Sequence, residues 1–279
     1  MSLAPQDQAA ALQALSKAGV WDPVGDLRAI AGKHFAGGRR VDALGLSAFR
    51  ADIAERCARI PLGHILGATR FGALDLLVGS GSFIPRQQSL GLLRWIERNL
   101  TLDQRATAYD LCAGVGALGL ALQAATQARV VCVETDATAG AYLQRNIQRL
   151  GCQRSVSLLT ADITRPDAFD ADQGNVDVVL ANPPYVPPEV ELLPEWRLHH
   201  PAAAIYAGAQ GGELIEACAR LARRLLRRGA PLLIEHADSQ VGQVAALLRG
   251  HGFVAIEHCL DDQFSDATGP SVFTVGRKA

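Results

Sequence analysis

The feature that most constrains the fold is a regular alternation between residues 108 and 250. Short apolar runs rich in β-forming residues alternate there with segments whose apolar residues recur at helical spacing. Strands are predicted at 108–111, 130–133, 156–159, 176–180 and 232–235, and helices at 117–125, 138–150, 212–226 and 240–250. Apolar strands separated by helices are typical of a parallel sheet that helices cover on both faces. The sequence therefore predicts an α/β fold.

The chain before this region has a different pattern. Helical spacing predicts helices at 6–18, 23–35, 47–60 and 90–100. Between the third and fourth of these, residues 70–84 carry closely spaced apolar residues and glycines, which predict an extended β-hairpin. We therefore predict three parts: a small helical domain at 1–68, a β-hairpin linker at 69–85 and an α/β domain at 86–279.

The end of the chain also departs from the alternation. Residues 253–259 and 271–276 are two short β-type runs with no helical pattern between them. Two strands joined in this way pair with each other in the antiparallel direction. We therefore expect an antiparallel hairpin at one edge of the sheet.

Composition limits the partners and the location of the protein. The formal net charge is −1 and the pI is about 6.7, so no long-range field attracts nucleic acid and no stable nucleic-acid binding is expected. No apolar run reaches the length of about 18 residues that a membrane span needs, and the N-terminus lacks the pattern of a signal peptide. The six cysteines are scattered, which indicates reduced thiols and no metal site. These features predict a soluble cytoplasmic protein.

A glycine-rich turn follows the first strong strand. It runs from Asp110 to Gly119, with Gly114 and Gly116 inside it. Glycines between a strand and a helix let the backbone approach a ligand closely. Taken alone, this turn fits a dinucleotide, a methyl donor or an ordinary tight connection equally well.

Acidic residues at the ends of the next two strands make a ligand site more specific. Glu134 ends the second strand, about 20 residues beyond the glycines, where a carboxylate can accept hydrogen bonds from ribose hydroxyls. Asp162 follows the third strand, where an acid can accept a hydrogen bond from an adenine amino group. Ligands of parallel sheets bind outside the carboxyl ends of the strands, so these features converge on one nucleoside-binding edge.

The sequence Asn182-Pro183-Pro184-Tyr185, directly after the fourth strand, is the most specific signal. The prolines fix the backbone because their φ is locked and they donate no N–H. The stiff corner presents two acceptors, the Asn182 side-chain oxygen and the Pro183 carbonyl. A planar NH2 group has two N–H donors and satisfies both at once. Tyr185 can stack on the flat group.

This pattern suits methyl transfer to a weakly nucleophilic nitrogen. The lone pair of an amide nitrogen is delocalised into the carbonyl, so the nitrogen reacts poorly. Two acceptors directed at its hydrogens withdraw the positive charge that develops during the reaction, which is electrostatic preorganisation. Holding the donor and the acceptor in line adds the gain from proximity.

Together, these residues resemble the class I S-adenosylmethionine methyltransferases with the Asn-Pro-Pro-Tyr signature. The resemblance extends to Pro61-Leu62-Gly63-His64-Ile65-Leu66-Gly67, to Phe71, to Phe83-Ile84-Pro85-Arg86, to Pro201-Ala202-Ala203 and to Gly211-Gly212. With these segments, nearly the whole chain resembles the HemK-type glutamine N5-methyltransferases that modify peptide-chain release factors. The resemblance implies a seven-stranded Rossmann-like domain with a small helical N-terminal domain.

The family resemblance also implies roles for particular residues. S-adenosyl-L-methionine, with S-adenosyl-L-homocysteine as its product, would be held by Asp110, Gly114, Gly116, Glu134, Asp162 and Asn182. The glutamine amide would be bound by Asn182 and Pro183 with Tyr185 packed on it, and the substrate site would also include Pro184 and Arg86. The N-terminal helices would help to hold a release factor.

Three positions depart from the family pattern. Gln87-Gln88-Ser89 stands where the family has Pro-Glu-Thr, Cys112 replaces a glycine of the turn, and Gly72 replaces an aromatic residue. These departures leave a second hypothesis open, a biosynthetic methyltransferase that acts on a small amino-acid-like or nitrogen-bearing metabolite. An adenine N6-methyltransferase, whose chemistry also acts on an exocyclic NH2, is disfavoured by the pI and by the lack of a basic recognition domain. In a non-catalytic binding module, nothing would require Glu134, Asp162 and the proline corner to occur together.

Overall fold

The computed structural model describes residues 3–35, 42–165, 169, 172–208, 211–266 and 269–279. Its helices are α1 (Pro5–Lys17), α2 (Pro23–Phe35), α3 (Ala43–Cys57), α4 (Leu62–Leu66), α5 (Leu90–Asn99), α6 (Ala117–Thr126), α7 (Ala137–Arg149), α8 (Pro194–His199), α9 (Glu213–Leu225) and α10 (Val241–Gly250). Its strands are β1 (Ala68–Phe71), β2 (Leu74–Leu77), β3 (Thr107–Leu111), β4 (Arg129–Glu134), β5 (Val156–Thr160), β6 (Val178–Ala181), β7 (Pro231–Glu235), β8 (Phe253–Asp266) and β9 (Gly269–Lys278).

The chain divides into two compact units. The first, the helical unit, comprises Met1–Thr69, Val78–Ser80 and Glu191–His200. The second, the sheet unit, comprises Arg70–Leu77, Gly81–Val190 and Pro201–Ala279. Each unit has its own buried apolar core. No helix in the described part of the chain is both long enough and apolar enough to cross a bilayer.

The core of the helical unit is formed by apolar residues at helical spacing on its first three helices. Leu15, Ile30 and Phe49 are almost completely buried there. The third helix was predicted at 47–60 but spans Ala43–Cys57. It begins earlier because the Asp42 side chain caps it by accepting the Gly45 N–H at 2.7 Å.

A buried cation joins three segments of the helical unit. The Arg56 side chain donates to Asp26 Oδ2 at 2.6 Å and to Glu195 Oε1 at 2.9 Å. It also donates to the Ile60 carbonyl at 3.2 Å. Glu195 accepts further hydrogen bonds from Arg59, at 2.7 and 2.6 Å. Both carboxylates, of Asp26 and Glu195, are therefore paired with a guanidinium group where water has little access.

The sheet unit contains the predicted parallel sheet. The strand order is β5-β4-β3-β6-β7-β9-β8, and the first five of these strands are parallel. The chain proceeds outward in one direction from β3 to β5 and then in the other from β6 to β7. The order reverses between β3 and β6, and such a reversal opens a crevice at the carboxyl ends of the strands.

The edge hairpin is confirmed. β9 is antiparallel to β7, and β8 is antiparallel to β9. Both strands are longer than predicted. The fourth parallel strand was predicted at 176–180 but spans Val178–Ala181, because Val176 forms only an isolated bridge with Leu226.

The apolar strand sequences follow from burial on both faces. In β6, Val179 and Ala181 face one apolar cluster, while Val178 and Leu180 face the other. Every residue of this strand is buried, so no polar alternation is present in its sequence. A separate two-stranded sheet of β1 and β2 forms the predicted hairpin.

Candidate active site

The glycine-rich turn between β3 and α6 has the left-handed backbone that glycine favours. φ is +57° at Gly114 and +89° at Gly116, and Cys112 also has a positive φ of 60°. A Cβ added at Gly116 would lie 2.3 Å from Leu143 Cδ1, so the buried Leu143 side chain would have to move. A Cβ added at Gly114 would meet no heavy atom within 4 Å. Gly114 therefore borders open space.

Asp110 lies beneath this turn. Its carboxylate is 1% exposed, and Oδ2 accepts the Gly119 N–H at 2.8 Å. Burial raises the pKa of Asp110 to about 7, although the Gly119 hydrogen bond opposes the rise. These contacts give Asp110 a part in shaping the turn. Its predicted direct contact with a cofactor stays a prediction.

Glu134 is fixed beside the turn at the end of β4. Its Oε2 accepts the Gly114 N–H at 2.8 Å, and its Oε1 accepts the Thr135 and Asp136 N–H groups, both at 2.8 Å. The side chain is half-buried, and carboxylate oxygens have further lone pairs. The structure therefore places one predicted acid directly against the glycine turn.

Asp162 follows β5 and is exposed. Its Oδ1 accepts the Thr164 N–H at 2.8 Å and the Thr164 hydroxyl at 2.7 Å. These hydrogen bonds lower the pKa of Asp162, so the carboxylate is charged at neutral pH. It can still accept a donor through Oδ2.

The proline corner follows β6, on the other side of the order reversal. Asn182 Nδ2 donates to Ser89 Oγ at 3.2 Å. No residue in the described part of the chain donates to Asn182 Oδ1 or to the Pro183 carbonyl. The two acceptors that the sequence predicted therefore have no protein donor among the described residues.

Tyr185 is held at both its ring and its backbone. Its hydroxyl lies 3.5 Å from Glu235 Oε1, and its carbonyl accepts Gln240 Nε2 at 3.1 Å. Gln240 Nε2 also lies 3.3 Å from the Gly211 carbonyl. A Cβ at Gly211 would come within 2.4 Å of the Tyr185 carbonyl oxygen, so glycine is needed at that position.

Three buried polar residues behind the corner were missed from the sequence. Gln88, Ser89 and Glu235 are only 5%, 3% and 1% exposed. Gln88 Nε2 lies 3.4 Å from Glu235 Oε1. Glu235 Oε2 is buried and has no hydrogen-bond partner among the described residues. The one available signal was a carboxylate at the end of the otherwise apolar strand β7.

The electrostatics of Glu235 follow from this environment. Burial raises its pKa, and this is the largest influence. Four neighbours oppose the rise because they stabilise the ionised form: the Ser89 hydroxyl, the Arg86 charge, Gln88 and Tyr185.

Arg86, predicted as a substrate contact, donates from Nη2 to Gln88 Oε1 at 2.6 Å. It therefore lies in the group of polar residues around Glu235. Pro184, the other predicted substrate contact, is half-buried in the corner itself.

A buried asparagine connects the hairpin β1–β2 to the glycine turn. Asn146 on α7 accepts the Leu77 N–H at 2.7 Å and donates to the Leu77 carbonyl at 3.1 Å and the Val115 carbonyl at 3.0 Å. Its side chain is completely buried. It therefore supplies hydrogen-bond partners to backbone groups at the end of β2 and in the glycine turn.

We expect Asn146→Ala to lower the free energy of unfolding by about 2–4 kcal/mol, because buried backbone groups lose their partners. Asn99→Ala is the matched control, since Asn99 is exposed and donates only to the Trp95 carbonyl at 2.8 Å. It is expected to change stability by less than about 1 kcal/mol. Urea denaturation measures both variants, and equal losses would contradict the role given to Asn146.

Comparison with solved structures supports the fold. A methyltransferase from Pyrococcus furiosus superposes with a TM-score of 0.55 at 16% identity, covering 75% of this chain and 90% of that one. A precorrin-6y C5,15-methyltransferase from Geobacter metallireducens gives 0.50 at 13% identity, covering 72% and 94%. A family model described as conserved hypothetical protein 95 matches residues 91–229.

Similarity in sequence extends further. A release factor glutamine methyltransferase of Mycolicibacterium smegmatis is 43% identical over 196 residues, which is 70% of this chain and 68% of that protein. The Corynebacterium glutamicum enzyme of the same name is 36% identical over 273 residues, or 95% of each chain. A 4-amino-L-phenylalanine/4-methylamino-L-phenylalanine methyltransferase of Streptomyces pristinaespiralis is 33% identical over 207 residues, covering 72% of this chain and 69% of that protein.

The fold, the site and these relatives define an S-adenosylmethionine-dependent methyltransferase. Within that class, the chain belongs to the release factor glutamine methyltransferase family. The resemblance found in the sequence is thereby confirmed.

Proposed function

We propose that this enzyme transfers a methyl group to the side-chain amide nitrogen of a glutamine in a peptide-chain release factor. The observation that carries the proposal is the pair of available acceptors, Asn182 Oδ1 and the Pro183 carbonyl, at the carboxyl end of β6. An amide NH2 group has two N–H donors, which matches such a pair in number. The names of the relatives that cover most of the chain agree with this substrate.

Three residues have separate proposed roles at the nitrogen that accepts the methyl group: Asn182, Pro183 and Tyr185. Hydrogen bonds to Asn182 Oδ1 and the Pro183 carbonyl stabilise the positive charge that grows on the nitrogen. Pro184 stiffens the corner, and the Tyr185 ring packs on the flat amide. The hydrogen bond from the Tyr185 hydroxyl to Glu235 limits movement of the ring, so the substrate amide is held in one orientation.

The residues on the other side of the order reversal fit S-adenosyl-L-methionine. Open space beside Gly114 admits a ligand against the backbone, and Glu134 is already fixed there to accept ribose hydroxyls. Asp162 would accept from the adenine amino group, and Asp110 and Gly116 would maintain the turn. When bound, S-adenosyl-L-methionine supplies an electrophilic methyl group on a sulfonium.

A second acceptor is supported by one relative. The Streptomyces pristinaespiralis protein carries the name of a methyltransferase for an aromatic amino acid with a free amino group on its ring. An arylamine NH2 also offers two N–H donors beside a flat group, so the same corner suits it. A small amino-acid-like amine is therefore the alternative substrate.

Methyl transfer from labelled S-adenosyl-L-methionine tests the two candidates side by side. We expect label in a purified release factor with a Gly-Gly-Gln loop and none in its Gln-to-Ala loop variant. Label in 4-amino-L-phenylalanine and not in the release factor would replace the proposal with the alternative.

The predicted helical domain at 1–68 is proposed to contact the protein substrate. A cytoplasmic location of the enzyme stays a prediction.

A further inference from the structure

Gln240 is a buried residue whose side-chain amide contacts the proline corner, and the proposed chemistry does not yet use it. It follows β7 and is 6% exposed. Its Nε2 donates to the Tyr185 carbonyl at 3.1 Å and to the Gly211 carbonyl at 3.3 Å. Its Oε1 accepts the Ala237 N–H at 3.0 Å. One side chain thereby connects three separate backbone segments of the sheet unit.

The backbone partners of Gln240 determine the orientation of its carboxamide. The two carbonyls can only accept, and the Ala237 N–H can only donate. Rotation of the amide by 180° would direct Oε1 at two carbonyl oxygens and Nε2 at an N–H, so all three hydrogen bonds would be lost. The orientation in which Nε2 faces Tyr185 is therefore the one that satisfies all three backbone groups.

These contacts fix the peptide group that follows the Tyr185 side chain. The carbonyl of this group accepts from Gln240, and its N–H, on Val186, donates to the Ile205 carbonyl at 3.1 Å. Since a peptide group is planar, binding at both edges fixes its orientation. On the other side of Tyr185, the ring of Pro184 restricts the backbone. The direction of the Tyr185 Cα–Cβ bond is therefore set from both sides.

Gly211 allows the three groups to come this close together. Its φ is +68°, and a Cβ added there would lie 2.4 Å from the Tyr185 carbonyl oxygen and 2.9 Å from Gln240 Nε2. The first of these atoms belongs to the backbone, so even alanine at this position would have to displace the peptide group that follows Tyr185. Gly211 is therefore part of the same contact.

We propose that Gln240 is a positioning residue, which acts through Tyr185 and sets the place of its ring against the group that receives the methyl. The inference rests on the proposed function and adds residues to it. At the other end of the ring, the Tyr185 hydroxyl lies 3.5 Å from Glu235 Oε1, so the side chain is held at its tip as well as at its base. A ring that lost its fixed base would hold a flat amide in line with the methyl donor less often.

The kinetics of Gln240→Leu test the role of the amide. Leucine is similar in size but has no donor for the Tyr185 carbonyl. We expect kcat to fall about 10- to 100-fold, since a displacement of about 1 Å at a reacting group has an effect of that order. The Kd for S-adenosyl-L-methionine is expected to change less than about threefold, because the backbone groups that Gln240 contacts lie outside the glycine turn.

A double-mutant comparison separates positioning from a general loss of structure. Because Gln240 is proposed to act through Tyr185, adding Gln240→Leu to Tyr185→Ala is expected to lower the rate by less than about twofold. A purely structural role would lower the rate equally in both backgrounds. An equal loss in the two backgrounds, or a wild-type kcat in Gln240→Leu, would overturn the inference.

Gly211→Ala is a second variant that tests the same contact, and Gly151→Ala is its matched control. Both glycines have a φ of +68°, but a Cβ at Gly151 would meet no heavy atom within 4 Å. The backbone strain is therefore alike, and only Gly211→Ala displaces the Tyr185 carbonyl. We expect kcat to fall about tenfold or more in Gly211→Ala and to stay within about twofold of wild type in Gly151→Ala. Equal rates in the two variants would contradict the proposed contact.

A readout independent of activity is the ring signal of Tyr185 in a 13C-correlated NMR spectrum of protein with labelled tyrosine. The chain has four tyrosines, and the signal lost in Tyr185→Phe assigns this one. We expect Gln240→Leu and Gly211→Ala to shift or broaden the signal and Gly151→Ala to leave it unchanged. A wild-type ring signal in Gln240→Leu would overturn the inference. Wild-type enzyme that labels neither the release factor nor the amine would instead refute the proposed function, while the ring signal would still decide whether Gln240 positions Tyr185.

Discussion

Replacing Asn182 with alanine is expected to lower kcat by about 10²–10³-fold, the usual effect of removing one preorganised partner of a developing charge. The methyl acceptor would keep only the Pro183 carbonyl, so one of its N–H groups would lose its acceptor. Asn182 is only one of six predicted cofactor contacts, and Glu134 and Gly114 are untouched. The Kd for S-adenosyl-L-methionine is therefore expected to change less than about threefold. Single-turnover methyl transfer and calorimetry measure the two quantities separately.

Asn175→Ala provides the control for Asn182→Ala. Asn175 is exposed, and its Nδ2 donates only to the Gln173 carbonyl at 3.2 Å. Its removal is expected to leave kcat unchanged. A wild-type rate in Asn182→Ala would remove the chemical basis of the proposed function. If cofactor affinity falls as much as the rate, Asn182 binds the methyl donor and not the methyl acceptor.

Arg56→Leu is expected to lower the stability of the helical unit by about 3–5 kcal/mol, the largest stability effect that we anticipate. Arg56 is 5% exposed and serves Asp26, Glu195 and the Ile60 carbonyl. Burial already raises the pKa of Asp26 despite its hydrogen bond and attraction to Arg56. Removing the cation therefore leaves a poorly solvated acid.

The matched control for Arg56→Leu lies on the same helix. Arg50 pairs with Asp7 at 2.8 Å, but its side chain is 64% exposed. Arg50→Leu is expected to change stability by less than about 1 kcal/mol, because water solvates both partners when the pair is lost. Urea denaturation followed by far-UV circular dichroism measures both variants. Similar midpoints for the two would show that Arg56 is not the buried connection that its contacts indicate.

The sheet could be predicted because strands that are buried on both faces have almost entirely apolar sequences. Strands such as β6 consist of apolar residues only, and helices with one apolar face separate them. Element ends were less accurate where a single side chain decides them. The Asp42 cap moved the start of α3, and no apolar periodicity reports such a cap.

The candidate site could be predicted where local motifs form it. The glycine turn and the proline corner are each continuous in sequence, and Glu134 ends a recognisable strand. Gln88 and Glu235 were missed because their contact depends on the folding of segments that lie 147 positions apart in the numbering. The connection between Arg56 and Glu195, 139 positions apart, was missed for the same reason.

The reversal of strand order between β3 and β6 has an evolutionary consequence. Residues proposed to hold the methyl donor lie at or just after the ends of β3, β4 and β5, whereas the corner proposed to bind the acceptor follows β6. The residues proposed to hold the donor and the corner proposed to bind the acceptor nitrogen are therefore encoded in successive, separate stretches of the gene. Mutations in the later stretch can change what is methylated while the earlier stretch is inherited unchanged, which allows one scaffold to serve relatives named for a protein and for a free amino acid.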